Sequence, residues 1–172
     1  MAMGDMFKEQ IVKRQPTAKD ALKRVGIVLA TVILSMIALT LPVPMIGPFI
    51  AAGAIFGAFY IMSFLKVEYE YTFTAGELDI DAIYNRSRRK RLFSARVNDF
   101  EIMAHVEDKA HSGAFNGAQL HKDYSSGVIG KETYAFMVNY QNKRTKIIIE
   151  PNEVMLKALA SVLTRRRLHV KI

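Results

Sequence analysis

The stretch VGIVLATVILSMIALTLPVPMIGPFIAAGAIFGAFYIMSFL, residues 25–65, holds no Asp, Glu, Lys or Arg in 41 positions and breaks near its middle at Pro-Val-Pro-Met-Ile-Gly-Pro. A helix that spans a bilayer needs about 20 apolar residues, so the run has the length for two crossings joined by a tight turn. Pro42 and Pro44 force the chain out of helical geometry. Pro48 is harmless in the first turn of the next helix, where its missing N–H has no partner to lose. Just upstream, Pro16 blocks any earlier helix and Thr17 with Asp20 has the spacing of a capping box. A first helix is therefore predicted from about Ala18 through Leu41, and a second from about Pro48 to Leu65.

Three other readings of the run fit less well. A cleaved signal peptide would need a small-residue cleavage site, and a second apolar segment follows the first at once. A helical pair buried in a water-soluble protein would carry a polar stripe, and only Thr31, Ser35, Thr40 and Ser63 interrupt the apolar surface. A re-entrant pair would suit the shortness of Val25–Leu41 alone. Two crossings account for the whole run. In the second helix Gly53-xxx-Gly57 and Ala54-xxx-Ala58 allow close backbone approach. Gly53 and Gly57 are thus the expected helix-packing residues, within the hairpin or between copies of the chain.

The formal charge of +8 is divided around this run. Residues 1–24 carry Lys8, Lys13, Arg14, Lys19, Lys23 and Arg24 against three acids, and all other charges follow residue 65. Basic flanks stay cytoplasmic, so with a neutral turn both termini are expected inside. The head, residues 1–24, places Met6, Phe7, Ile11 and Val12 near one side of a helix among Lys8, Lys13 and Arg14. That pattern suits an amphipathic helix lying on an anionic leaflet, or else a frayed terminus.

After the hairpin (25–65) the grammar becomes that of strands, over a third segment, 66–172. Val67, Tyr69, Tyr71 and Phe73 alternate with polar residues. Ala75-Gly76-Glu77 turns the chain into Leu78, Ile80, Ala82 and Tyr84. A basic turn follows, then strands at Leu92–Arg96, Asp99–Val106, Thr133–Tyr140 and Thr145–Glu150, with a mobile loop enclosing at most one short strand at 107–131. Pro151-Asn152-Glu153 opens a helix with Val154, Met155, Leu156, Leu159, Val162 and Leu163 on its apolar face and Arg165–Arg167 at its negative end. The fold class is a membrane α-helical hairpin plus an α+β tail, an antiparallel sheet or open barrel capped by a C-terminal helix.

The order of two apolar helices, Val-Glu-Tyr-Glu-Tyr-Thr-Phe-Thr, Gly-Glu-Leu-Asp-Ile, Phe93-Ser-Ala-Arg-Val-Asn-Asp-Phe-Glu and Ile147-Ile-Ile-Glu-Pro-Asn-Glu resembles the bacterial pleckstrin-homology-like membrane proteins of the YcxB-like kind. The whole chain also resembles an uncharacterised family of small membrane proteins from anaerobic Gram-positive bacteria that share Gln-Ile-Val-Lys-Arg. The resemblance implies a PH-like domain tethered to the bacterial inner membrane, with a binding or scaffolding role, and supplies no catalytic residues.

The densest charge is Arg86-Ser87-Arg88-Arg89-Lys90-Arg91, with Arg96 close behind. Juxtamembrane basic clusters attract anionic lipid by about 1 kcal/mol per residue, so Arg86, Arg88, Arg89, Lys90, Arg91 and Arg96 are the candidate lipid-binding residues. The alternative is a solvated hairpin tip. With no recognition fold in view, a nucleic-acid partner is not expected. Cysteine is absent, which excludes thiolate chemistry and disulfides. His105, His111, His121 and His169 lack metal-ligand spacing, and His111 and His121 have Asp108 and Asp123 nearby only for adventitious binding. Asp79 and Asp81 share a strand face rather than forming an acid–base pair, and Ser125 lacks the frame of a nucleophile elbow. No charge lies inside the helices to serve an ion pathway. No catalytic residue, metal or cofactor is expected. The function read here is a non-enzymatic membrane-anchored binding or scaffolding protein engaging lipid or a protein partner. An oligomeric permeation or accessory subunit is the alternative.

Overall fold

Three two-residue turns set the hairpins of this chain, each with both central residues at positive φ. They are Ala75-Gly76 (51° and 85°), Asn85-Arg86 (49° and 56°) and Gln141-Asn142 (53° and 60°). Such turns carry the twist that flanking antiparallel strands require. The structure, a computed structural model, describes residues 7–42, 45–163 and 168–169. It divides into a helical unit, residues 16–67 with 84–87, and a strand-rich unit holding residues up to 15, 68–83 and 88 onward.

In the helical unit α1 spans Ala18–Leu39 and α2 spans Ile46–Ser63. The predicted capping box starts α1: Asp20 N–H donates to Thr17 Oγ1 and Thr17 N–H to Asp20 Oδ2, at 3.4 and 3.0 Å. At 1.5 Å per residue the helices are about 33 and 27 Å long, and both are apolar enough to cross a membrane. Only 6% of the most apolar window of α1 is buried, which is not how a soluble core helix is used. Hydroxyls here bond back along their own helix. Thr31 Oγ1 donates to the Ile27 carbonyl at 2.7 Å and Ser63 Oγ to that of Tyr60 at 2.6 Å, which satisfies each hydroxyl within its helix.

The close approach of the two helices falls elsewhere than expected. A Cβ added at Gly53 or Gly57 would meet nothing within 4 Å, whereas one at Gly47 would run into the Ala38 carbonyl oxygen. Gly47 lies in the first turn of α2 beside the buried Ala38 near the end of α1, where the short connection forces the helices together. Gly47→Val is therefore expected to open this end of the hairpin. Cross-linking between cysteines introduced at Ala38 and Gly47's neighbour Ile46 should fall sharply in Gly47→Val and stay unchanged in Gly53→Val.

The strand-rich unit begins before the hairpin. Residues Lys8–Lys13 form a strand, β1, antiparallel to β2 (Val67–Thr74), with Lys8 opposite Phe73 and Lys13 opposite Glu68. The expected amphipathic helix is thus a strand. Val12 is buried on one face while Glu9, Ile11 and Lys13 are exposed on the other. A short segment with mixed periodicity takes its structure from its partner, and that partner lies more than fifty residues on. With β3 (Glu77–Tyr84) and β4 (Arg88–Arg96) the first sheet has the order β1-β2-β3-β4.

The second sheet has the order β6-β8-β7-β5-β9, from β5 (Phe100–His105), β6 (Leu120–Asp123), β7 (Tyr134–Tyr140), β8 (Lys143–Ile149) and β9 (Leu168–His169). Its edge strands β6 and β9 join in parallel, so the sheet is not purely antiparallel. Tyr71, Phe73, Leu78, Ile80, Phe93 and Ile147 are fully buried, and Phe100 stacks on Phe136 at 4.0 Å. Helix α3 (Glu153–Val162) buries Met155, Leu156, Ala158 and Leu159 and packs on β1. Asn152 caps it, accepting from Met155 N–H at 2.8 Å. Val154, assigned to the apolar face, is 55% exposed, and Arg165–Arg167 lie outside the described residues.

The 107–131 segment is ordered by its own contacts. Phe115, in a 3₁₀ turn at Ser112–Phe115, packs on Ala104, Ala135 and Met137. Because this segment covers the second face of the sheet, Tyr134–Val138 is buried continuously instead of alternately.

Candidate membrane-facing surface

The basic cluster is a strand rather than a turn, and the pleat splits it in two. Arg89 and Arg91 meet acids on β2 and β3: Arg89 Nη1 lies 3.0 Å from Glu70 Oε2, and Arg91 lies 3.1 and 3.0 Å from Asp79 and Asp81. Asp79 and Asp81 are therefore the ion partners of one arginine, Arg91, and both arginines pair within the sheet while their side chains stay more than half exposed. Arg88 and Lys90 alternate with them, are exposed, and carry no ion pair among the described residues. Arg96 stands at the other end of β4, next to Val97, whose N–H donates to Gly76 O at 2.9 Å. Eight residues at about 3.3 Å each put it about 26 Å from Arg88, outside any common site. Arg86 sits in the β3–β4 turn. The signal in the sequence was the spacing of two in both runs, Asp79 with Asp81 on one strand and Arg89 with Arg91 on another, although Arg91 takes both aspartates and Arg89 takes Glu70.

Glu70 is the unusual member of this face, because its carboxylate is buried between the β1 and β3 strands. Burial, then the neighbouring Glu9 side chain, raise its pKa above the ordinary carboxyl range, and the Arg89 charge only partly opposes them. A carboxyl with a raised folded-state pKa stabilises the fold below its unfolded pKa and loses that contribution as pH rises through the folded value. The unit is thus expected to lose stability with rising pH just above the ordinary carboxyl range, by at most about 1.4 kcal/mol per pH unit. Denaturant melts across that range should show the slope in the parent chain and not in Glu70→Gln.

One end of the first sheet is where the chain leaves and returns. Lys13, the last residue of β1, is paired with Glu68, the second of β2. Beyond it Gln15 N–H donates to the Ser126 carbonyl at 2.7 Å, fixing the start of the connection to the 124–131 loop. The Gln10 side chain clamps the junction of β8 and α3, donating to Glu150 O and accepting from Asn152 N–H, both at 2.8 Å. No local pattern marks residues 8–15 as partners of residues 126–152.

The histidines and acids of the loop serve structure. His105 Nδ1 accepts from Glu107 N–H and its Nε2 meets the Gly130 carbonyl at 3.0 Å, so both ring nitrogens are used. His111 stacks on His169 at 3.6 Å and bonds Asp108 at 2.8 Å. Asp123 accepts from the backbone and hydroxyl of Ser125. No cluster of three or more metal-ligating side chains occurs among the described residues.

The sequence model of the bacterial PH-like domain family DUF6106 matches residues 4–168, and the chain belongs to that family. The match spans β1, the helical hairpin and both sheets, so the hairpin is part of the family's pattern. No curated protein and no solved structure matches the chain.

Proposed function

We propose that this PH-like protein is a non-enzymatic scaffold of the bacterial inner membrane, anchored by α1 and α2, with its strand-rich domain in the cytoplasm. The observation that carries the reading is the pairing of β1 with β2. The strand before the hairpin and the strand after it are neighbours in one sheet, which supports placing both ends of the hairpin on one side of the bilayer. An even number of crossings satisfies this, and the basic flanks support the cytoplasm as that side. Tyr60 and Phe64, edge to face at 4.9 Å at the end of α2, suit the interfacial zone. Arg88 and Lys90, left free by the pleat, suit anionic headgroups, with Arg89 and Arg91 committed to the acids of the sheet. Proteins are the other partner class such a domain serves. No nucleic acid, cofactor or chemistry is assigned.

The test uses single cysteines in the full chain. At Met45 an impermeant maleimide is expected to label intact cells, and at Glu9 and Asn142 only lysed ones. Labelling of Glu9 or Asn142 in intact cells would reverse the orientation. Release of the protein by alkaline carbonate would remove the anchor. Arg88→Glu with Lys90→Glu is expected to lower cross-linking of the domain to phosphatidylglycerol several-fold. Proximity labelling, with the strand-rich domain deleted as control, then reads out partners.

A second reading has one observation in its favour. Gly53 and Gly57 do not meet α1, leaving a small-residue face for a second copy and an oligomeric membrane subunit. Gly53→Leu with Gly57→Leu would dissociate that assembly and leave a monomeric scaffold unaffected.

A further inference from the structure

We infer that Val128 and Ile129 form a wedge that enters the headgroup region of the membrane to which the chain is tethered. The inference rests on the anchored reading above and adds a lipid-contact site on the strand-rich domain. Both side chains are exposed, Val128 at 50% and Ile129 at 65%, on a loop that is otherwise tightly built. Ser125 is buried, and Asp123 Oδ1 accepts from its N–H at 2.9 Å and its hydroxyl at 2.6 Å. Ser126 N–H donates to Glu150 Oε2 at 2.9 Å, and Gly127 turns at a φ of 86° with its N–H on Ser125 Oγ. On the far shoulder Gly130 N–H donates to Thr133 Oγ1 at 2.8 Å. A loop held by these bonds leaves little backbone ordering cost for binding.

The covalent path from this loop to the tether is short. Ser126 accepts from Gln15 N–H, and Gln15 is three peptide links from Ala18, the first residue of α1. Fully stretched links span at most about 11 Å, and seven more residues, about 10 Å of helix, lead to Val25, where the charge-free run begins. Isolated exposed aliphatic residues are commonplace on proteins. Two adjacent ones on a pinned loop at a membrane tether are not, and Lys131 beside them and Lys13 at the end of β1 supply the charge that anionic headgroups attract. The occupant is the lipid surface, since the covalent tether keeps lipid within reach at all times.

The chain has no cysteine, so an environment-sensitive fluorophore can be placed at one site at a time in the full protein. The sites are Ile129→Cys, Asn142→Cys in the β7–β8 turn at the other end of β7, and Ile33→Cys within α1. The vesicles are phosphatidylcholine and phosphatidylglycerol in equal parts, with nitroxide lipids labelled near the headgroup or deep in the chains. Position 129 is expected to show blue-shifted emission and several-fold stronger quenching by the shallow nitroxide than position 142. Position 33 should be quenched by the deep one. If 129 behaves like 142 while 33 is quenched, the wedge is overturned and the anchor stands. If 33 is unquenched as well, the anchored reading fails and takes the wedge with it. Protection of 129 without any nitroxide quenching would assign the loop to a protein contact and also overturn the wedge. Ile129 is exposed, so its substitution leaves the fold intact.

Discussion

A chain in which Gln15 is joined to Val67 by a short Gly-Ser linker, with residues 16–66 removed, folds in water as a monomer, and residues 66–172 alone do not. The expectation follows from β1. Its removal takes away the burial of Val12, worth about 2 kcal/mol, and the two hydrogen bonds of the Gln10 amide, worth about 1 kcal/mol each. It also uncovers the edge of β2, including the buried carboxylate of Glu70 opposite Ile11. A loss of about 4 kcal/mol is a large fraction of the roughly 5–15 kcal/mol that holds a domain folded. Joining Gln15 to Val67 costs little, because Lys13 and Glu68 are already paired and the closed loop is short. Circular dichroism and sedimentation would check both chains. The joined one should melt cooperatively as a monomer and the truncated one should aggregate or lack near-ultraviolet signal. A cooperative, monomeric 66–172 melting at the same temperature would show that β1 is dispensable.

The same strand marks the limit of what could be read from the residues alone. The hairpin was legible because a charge-free run and paired prolines act locally, and the capping box at Thr17 and Asp20 fixed its start. Strands β2, β3, β7 and β8 were legible because alternation and turn residues are local too. Residues 8–13 are different: the pattern Lys-Glu-Gln-Ile-Val-Lys fits either a helix face or a strand, and only Tyr69–Phe73 decides between them. The division of the basic cluster was hidden for a related reason. Reading Arg86–Arg91 as one turn ignored the period of two that sends Arg89 and Arg91 to Glu70, Asp79 and Asp81 and leaves Arg88 and Lys90 free. Gly53 and Gly57 matched a packing motif, yet packing depends on where the connection pulls the helices together, and that selected Gly47. Ordering of 107–131 was hidden because Phe115 gains its partners from β5 and β7.

Tyr71→Phe is expected to destabilise the strand-rich unit by about 2–3 kcal/mol, far more than the loss of one oxygen suggests. Tyr71 is fully buried, and its hydroxyl donates to the Tyr124 carbonyl at 2.5 Å while accepting from Glu150 N–H at 3.3 Å. Phenylalanine fills the same space and leaves both backbone groups without a partner. For a domain of this size the melting temperature should fall by about 10 °C. Tyr124→Phe is the contrasting case. Its own hydroxyl reaches the Leu92 carbonyl only at 3.5 Å, so its removal should cost under about 1 kcal/mol. Burial raises the Tyr71 phenol far above its ordinary pKa and pushes Tyr124 up to about 12, so neither should ionise in an alkaline absorbance titration until the fold opens. The Tyr71 hydroxyl also ties the core to the loop. Tyr124 leads directly into Ser125 and Ser126, and Glu150 holds Ser126 N–H through its carboxylate. Hydrogen exchange in Tyr71→Phe should therefore rise first at residues 124–130, ahead of the rest of the second sheet. Uniform acceleration across the unit would instead make Tyr71 a packing residue alone, with no part in holding the loop.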